Sequence, residues 1–469
     1  MNYFSTRNRK KKFSFKDVFL RGLAPDGGLF IPEKIKKYNS DDLKRLKNLK
    51  YSDLATEIVS SFCEGEIEKQ KLKSIIEKSY YTFSIENVVS IKSLGDLNIL
   101  ELYHGPTLAF KDIAMQVIGN IYSEFLKKSN DQINIVVATS GDTGAAAVSA
   151  FKQKENINLF VLHPHEKISK MQRKIMTSEN FYHSNKISKN IFNIAVKGNF
   201  DDCQNLVKQM FNDEQFRNHI KMSGVNSINL GRIIFQIIYY FYSYFKISKG
   251  EEINFSVPTG NFGDVYAGYL AQKMGLPIKK LIVSTNENDI LQRVINSGEY
   301  KPLKVKNSIS PSMDIQVASN FERLIFDSLD ENDQEVSQLM EKLNKEGSFK
   351  LKKKSLDYIQ SKFYAEKVKD TETANCIKEI YKKYNFIVDP HTAIAIKAVE
   401  KIKDKTKTVC LATAHPYKFV ETVEEIIDDK LEVPIQCLFL GPNEKYDVLE
   451  NNIDKIKKYI RGKVEWDWK

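Results

Sequence analysis

The stretch Glu101 to Lys111, ELYHGPTLAFK, sets a lysine behind a Gly-Pro turn and a short apolar segment. Flanked by Leu108, Ala109 and Phe110, the Lys111 amine can be shielded from water, which disfavours its charged form and exposes a nucleophile. Such an amine can form a Schiff base with an aldehyde cofactor. In a chain with 71 lysines and arginines, the plain alternative is a lysine that snorkels from an apolar helix face.

Glycine-bearing turns elsewhere suit anions. Ser140-Gly141-Asp142-Thr143-Gly144 lies between an apolar run and an alanine-rich segment, so small residues would let backbone N–H groups at a helix start approach a carboxylate. Taken alone it also reads as an ordinary strand-to-helix turn with Ser140 or Asp142 as N-cap. Val257-Pro258-Thr259-Gly260-Asn261-Phe262-Gly263-Asp264 repeats the architecture, and its glycines can form a nest of N–H groups around a phosphate. It is neither a Walker loop nor a GxGxxG fingerprint, and on spacing alone the signal is weak. Leu411-Ala412-Thr413-Ala414-His415-Pro416 ends a strand pattern with a hydroxyl and then an imidazole, and in isolation Thr413 reads as a helix N-cap. Arg232 suits bidentate recognition of a phosphate, although an arginine on a helix is more often an ion-pair partner.

The elements that must position these residues follow from periodicity. Residues 1–95 read as a mainly helical region, with Ser52-Asp53 capping a helix over 55–62 and a second helix over 66–78. Short strands then alternate with helices, the signature of a parallel α/β sheet: strands at 98–103, 133–138, 159–162 and 191–196, helices at 111–127 and 144–152, and a helix around Arg173. A second α/β block, 227–469, follows the first, 96–226. It is expected to hold strands at 253–257, 280–284, 386–388, 408–412 and 436–440, and helices at 262–273, 371–384 and 392–401. The segment 301–367 reads as a charged, mostly helical excursion, and the tail as polar.

The chain of 469 residues, 42% hydrophobic and 28% charged, has the composition of a soluble globular protein of two or three domains. Its net charge of +11 is spread along the chain and interleaved with acids, which argues against a nucleic-acid partner. The apolar run 228–245 carries Asn229, Arg232, Gln236 and tyrosines, so a buried helix is expected rather than a membrane span. Five cysteines without CxxC or metal-ligand spacing point to a reducing compartment, and the basic N-terminus lacks the apolar stretch of a secretory signal, so a cytoplasmic location is expected.

His104 to Asp112, HGPTLAFKD, resembles the cofactor-lysine motif of threonine synthases, pyridoxal-phosphate enzymes of the fold-type II group related to the tryptophan synthase β subunit. Five further segments are similar in order: Tyr3-Phe4-Ser5-Thr6-Arg7 with Gly22 to Pro32, SGDTGAAA from Ser140, Ser227 to Gln236, the Gly260-Asn261-Phe262-Gly263 loop, and Leu411 to Pro416. Phe200 to Gln204 and Asp389 to Ala393 extend the likeness without suggesting a role. In the Ser227 segment, Leu230 and Gly231 replace the family's usual Trp and Ala, on packing positions.

The resemblance implies an α/β fold of type II architecture and a pyridoxal 5'-phosphate cofactor bound to Lys111. It implies that Gly260, Asn261, Phe262 and Gly263, with Asp264 beside them, hold the cofactor phosphate and that Thr413 meets the pyridine nitrogen. Ser140, Gly141, Asp142 and Thr143 would cradle the substrate carboxylate, with Asn229 and Arg232 nearby. The implied reaction converts O-phospho-L-homoserine and water to L-threonine and phosphate, by γ-elimination and β-hydration, in a monomer or small homo-oligomer. Alternatives are a phospho-lyase or serine/threonine dehydratase of the same fold, told apart by product, and a non-catalytic homologue that binds the cofactor, against which Lys111, the glycine loop and Thr413 argue.

Overall fold

The computed structural model describes residues 1–129, 131–180 and 188–466. Its frame is a pair of sheets. The larger has six strands in the order Phe363–Lys367, Ile278–Thr285, Ile253–Pro258, Thr408–Ala412, Leu97–Glu101 and Ser90–Leu94, parallel except for the last. The smaller has five parallel strands in the order Met222–Ser223, Ile133–Ala138, Ile157–Pro164, Ile191–Lys197 and Asp447–Glu450. Central strands such as Ile253–Pro258 and Thr408–Ala412 are buried along their whole length. That is why they read as continuous apolar runs rather than as alternation.

The sheets do not follow the expected chain boundaries. Leu97–Glu101, from the 96–226 block, pairs with Thr408–Ala412 in the larger sheet, and Asp447–Glu450, from the 227–469 block, closes the smaller one. Each sheet therefore draws on both sides of residue 226.

The run 228–245 forms the helix Leu230–Ile247, in which every residue from Leu230 to Phe245 is buried. It packs against the helices Tyr51–Ser60, Lys111–Ser129 and Gly263–Lys273. Burial on all sides accounts for its apolar composition, and no helix among the described residues is long and apolar enough to cross a membrane. Gly231 sits in its first turn, where an added Cβ would lie 2.6 Å from Cζ of Phe19. A phenylalanine from the N-terminal region thus occupies the space an alanine would need.

Several expectations for individual elements are corrected. The N-terminal region carries a three-stranded sheet of Asn8–Phe13, Tyr3–Ser5 and Phe30–Pro32 beside its helices. The helix expected over 55–62 spans Tyr51–Ser60 with Lys50 at its N-cap, so Ser52 and Asp53 lie in its first turn and do not cap it. The excursion 301–367 ends in a strand, Phe363–Lys367, at the edge of the larger sheet, where Phe363 and Ala365 alternate inward. Residues 386–388 form no strand. They link a helix ended by left-handed Asn385 to the cap Asp389, and both edges of the neighbouring Thr408–Ala412 are already paired. Finally, 436–440 is helix Ile435–Leu438 followed by strand Leu440–Glu444, fixed where the Gln436 amide donates to the carbonyls of His104 and Gly105.

The Tyr3 to Arg7 segment has a structural task. Thr6 Oγ1 and Arg7 Nη2 donate to the Glu322 carboxylate at 2.6 and 2.7 Å, tying the N-terminus to helix Phe321–Ser328 of the excursion.

Candidate active site

The carboxyl ends of the strands converge on one cavity, the place where open α/β sheets take ligands. Lys111 begins a helix after Leu97–Glu101, Asp142 begins one after Ile133–Ala138, Gly263 begins one after Ile253–Pro258, and Thr413 follows Thr408–Ala412. Lys111, Ser140, Asp142, Thr143, Arg232, Gly260 to Asp264 and Thr413 all line this cavity.

Lys111 and Thr413 are brought together by backbone. Ala109 bridges Ala414, Phe110 N–H donates to Thr413 O at 2.9 Å, and His415 N–H donates to Leu108 O at 3.0 Å. The Thr413 hydroxyl has no hydrogen-bond partner among the described residues, and the cap of the following turn is His415, whose Nδ1 accepts from Tyr417 N–H. The N-cap reading of Thr413 is therefore excluded.

Lys111 does not snorkel. Its side chain is 13% exposed, and its ammonium donates to Asp142 Oδ2 at 2.9 Å. Burial lowers its proton affinity; Asp142 opposes this, and the charges of Lys418 and Arg232 add to it. Asp142 is held well below the usual carboxylate range, because the charges of Lys111 and Lys418 outweigh the effect of its burial. Its other oxygen accepts from Lys418 Nζ at 2.8 Å and Gln172 Nε2 at 3.0 Å, while Ser312 Oγ reaches Oδ2 at 3.2 Å. Neither Ser140 nor Asp142 caps the helix Asp142–Phe151; its N-cap is Gly141, with no side-chain cap bond.

The second glycine turn is shaped from the far side. A Cβ at Gly260 would lie 2.8 Å from the backbone oxygen of Ser312, in the loop 301–320, so only glycine fits there without a shift. Phe262 holds the left-handed conformation, φ 64°, at the N-cap of Gly263–Lys273, and packs edge-on against Phe321. The Asn261 side chain serves the surrounding loops: its amide donates to Ser227 Oγ and its oxygen accepts from Ser319 N–H. In this loop the groups left for a ligand are backbone N–H groups at a helix N-terminus.

Asn229, expected at the substrate, is corrected. It caps Leu230–Ile247 through Gly231 N–H at 2.9 Å, and its amide donates to Phe19 O at 3.0 Å, so both ends of the side chain are engaged away from the cavity. Gly141 also lies outside the lining, with its N–H on Thr139 Oγ1. Residues passed over in the sequence include Lys418 and His391. His391 lines the cavity, its Nδ1 is 2.6 Å from Asp389 Oδ2, and Asp389 caps the helix Pro390–Ile402. The signal was an Asp-Pro helix start with a histidine in its first turn.

Pyridoxal phosphate suits this lining. Arg232 Nε, Gln236 Oε1, Asp264 Oδ2 and His391 Nε2 are buried without a hydrogen-bond partner among the described residues, and all four residues line the cavity. Buried polar atoms of this kind call for a polar ligand. Asp264 Oδ1 is already taken by the hydroxyls of Tyr239 and Tyr240, and burial pushes the Asp264 carboxyl up to about 6.

Residues 95–343 match the family model described as pyridoxal-phosphate dependent enzyme. Fold and site thus define a fold-type II pyridoxal-phosphate enzyme, with that cofactor. Residues 2–80 match "Threonine synthase N terminus" and residues 392–460 match "Threonine synthase, C-terminal". The chain is 39% identical over 466 residues to threonine synthase of Pseudomonas aeruginosa, covering 98% of each chain. It is 40% identical over 463 residues to that of Saccharomyces cerevisiae, covering 91% of this chain and 89% of the other. Among solved structures, pyridoxal-phosphate-bound threonine synthase from Brucella melitensis superimposes with a TM-score of 0.94 at 39% identity, covering 99% of each chain. The yeast enzyme superimposes with 0.90 at 37% identity, again covering 99% of each. The chain belongs to the threonine synthase family.

Proposed function

We propose that the chain converts O-phospho-L-homoserine and water to L-threonine and phosphate with the residues of this cavity. The observation that carries the reading is the buried Lys111 amine, lowered in proton affinity and set opposite an ionised carboxylate at the head of a glycine-bearing turn. Pyridoxal phosphate, when bound, supplies an electrophilic aldehyde and a ring that takes up carbanion charge.

Lys111 would anchor the cofactor and, as a free amine, would move the proton at substrate Cα; proton shifts at Cβ, phosphate loss and water addition would complete the conversion. The N–H groups of Gly260 to Gly263 hold the cofactor phosphate at the start of Gly263–Lys273, with Asp264 behind them. Thr413 offers the pyridine nitrogen a neutral hydroxyl, which stabilises a protonated ring less than a carboxylate would. Ser140, Asp142 and Thr143 orient the substrate carboxylate, and Arg232 supplies the cation for an anionic group deeper in the cavity. We place the reaction in the cytoplasm, in a monomer or small homo-oligomer; five free cysteines fit a reducing compartment.

Borohydride reduction of cofactor-loaded protein, followed by peptide mapping, should fix the pyridoxyl group on Lys111. Incubation with O-phospho-L-homoserine should release threonine and phosphate in equal amounts. Release of 2-oxobutyrate instead of threonine would reassign the chain to elimination without hydration.

A further inference from the structure

Lys418 lies in the short turn Pro416–Phe419 and is fully buried, an expensive place for an ammonium. Two acceptors hold it, Asp142 Oδ1 and Thr107 O, each at 2.8 Å. Thr107 is itself pinned, since its N–H and hydroxyl both donate to buried Asp112 at 2.8 and 2.6 Å. A continuous chain therefore runs Asp112, Thr107, Lys418, Asp142, Lys111.

The two Asp142 oxygens are divided. Oδ2 receives Lys111 and Ser312, while Oδ1 receives Lys418 and Gln172. The Lys111 contact is the one the reaction must break, because that nitrogen is engaged by the cofactor and then released. Were Lys111 the sole counter-cation, each departure would leave a buried carboxylate without a cation, and Asp142 would take up a proton. The Lys418 contact has no such reason to open.

We infer that Lys418 is a positioning residue, a fixed counter-cation that keeps Asp142 ionised and in place while Lys111 moves between Asp142 and the cofactor. This rests on the reading of Lys111 given above. It also removes a conflict in that reading, because an ionised Asp142 beside a substrate carboxylate would repel it unless a permanent cation sat behind it. The charged groups that bear on Lys111 are Asp142, Lys418, Arg232 on helix Leu230–Ile247 and Asp264 on helix Gly263–Lys273. Of these, Lys418 acts on Lys111 through space and on Asp142 by direct contact.

The test follows the visible band of the cofactor-loaded full chain as pH is varied, since its midpoint reports the proton on the Lys111 nitrogen. Lys418→Arg should keep the wild-type midpoint. Lys418→Met should lower it by about one pH unit, a tenfold loss in proton affinity, because Asp142 then takes up a proton and no longer faces the Lys111 nitrogen as an anion; a raised midpoint, the mark of lost Lys418 repulsion with Asp142 still charged, overturns the inference. In cofactor-free protein, where Lys111 itself pairs with Asp142, acetylation of Lys111 by acetic anhydride, read by mass spectrometry across pH, should shift upward instead, through loss of the Lys418 charge alone. A folded Lys418→Met protein with unmoved midpoints in both measurements overturns the inference. Asp142→Asn decides the matter if Lys418→Met does not fold: loss of an ionised Asp142 lowers the band midpoint, whereas an unchanged midpoint means that Asp142 is already protonated and Lys418 does not hold its charge. Absence of a borohydride-fixed group on Lys111 would instead sink the underlying reading.

Discussion

Lys111 Nζ donates to Asp142 Oδ2 across 2.9 Å, and each residue is the first of its helix. The Lys111 helix follows a strand of the six-stranded sheet and the Asp142 helix follows a strand of the five-stranded sheet, so the ion pair joins the two sheets at their carboxyl ends. An amine supplied by one sheet is thereby held by a carboxylate supplied by the other.

Gly260→Ala should weaken the cofactor selectively. The new Cβ meets the Ser312 backbone oxygen at 2.8 Å, and backbone cannot swing aside as a side chain would. An overpacking cost of about 1–3 kcal/mol corresponds to a rise of roughly 5- to 150-fold in the dissociation constant for pyridoxal phosphate. Fluorescence titration of cofactor-free protein measures it.

Asn229→Ala should reduce stability by about 1–2 kcal/mol through loss of the N-cap. Because the side chain does not face the cavity, kcat and KM of the folded variant should stay near wild type. Arg232→Gln, by contrast, should raise KM for the phosphorylated substrate well beyond tenfold if the guanidinium meets an anion. Steady-state kinetics beside a urea melt separate the two.

Asp264→Asn should alter how stability depends on pH in the cofactor-free protein. Burial raises the Asp264 carboxyl from 3.8 to about 6, so its contribution is fully present below the unfolded value and is lost as pH rises through 6. The asparagine variant lacks that loss. Relative to it, wild type should fall by roughly 2–3 kcal/mol between pH 4 and 7, read from urea midpoints across that range. Asp112, pushed up to about 6 in the same sense, is present in both proteins and cancels.

Gly231→Ala sets helix propensity against packing. Alanine gains at most about 1 kcal/mol, and less in a first turn than in a helix interior, while its methyl would sit 2.6 Å from the Phe19 ring in a full core, a cost of about 1–3 kcal/mol. A net loss in melting temperature is expected, with recovery in Gly231→Ala combined with Phe19→Leu.

Much of the site was legible because its parts are local. A strand, a glycine-bearing turn and a helix start are consecutive, so Ser140 to Gly144 and Val257 to Asp264 announce backbone N–H groups at helix N-termini without reference to the rest of the chain. The helix Leu230–Ile247 was legible for a related reason, since tyrosines and an arginine within an apolar run fit a buried helix and not lipid. The strand expected at 386–388 failed because pattern says nothing of whether a sheet edge is free, and the edges beside Thr408–Ala412 were taken.

The sequence by itself therefore determined the fold class, and singled out Lys111 and two glycine-bearing turns as candidates. Tertiary structure alone decided what state those groups are in. It turned Asn229 from a ligand candidate into a cap, brought His391 to the cavity wall, and set Lys418 against Asp142 from 276 residues away. Charge and proton affinity depend on burial and on neighbours in space, and neither is a property of adjacent residues in the chain.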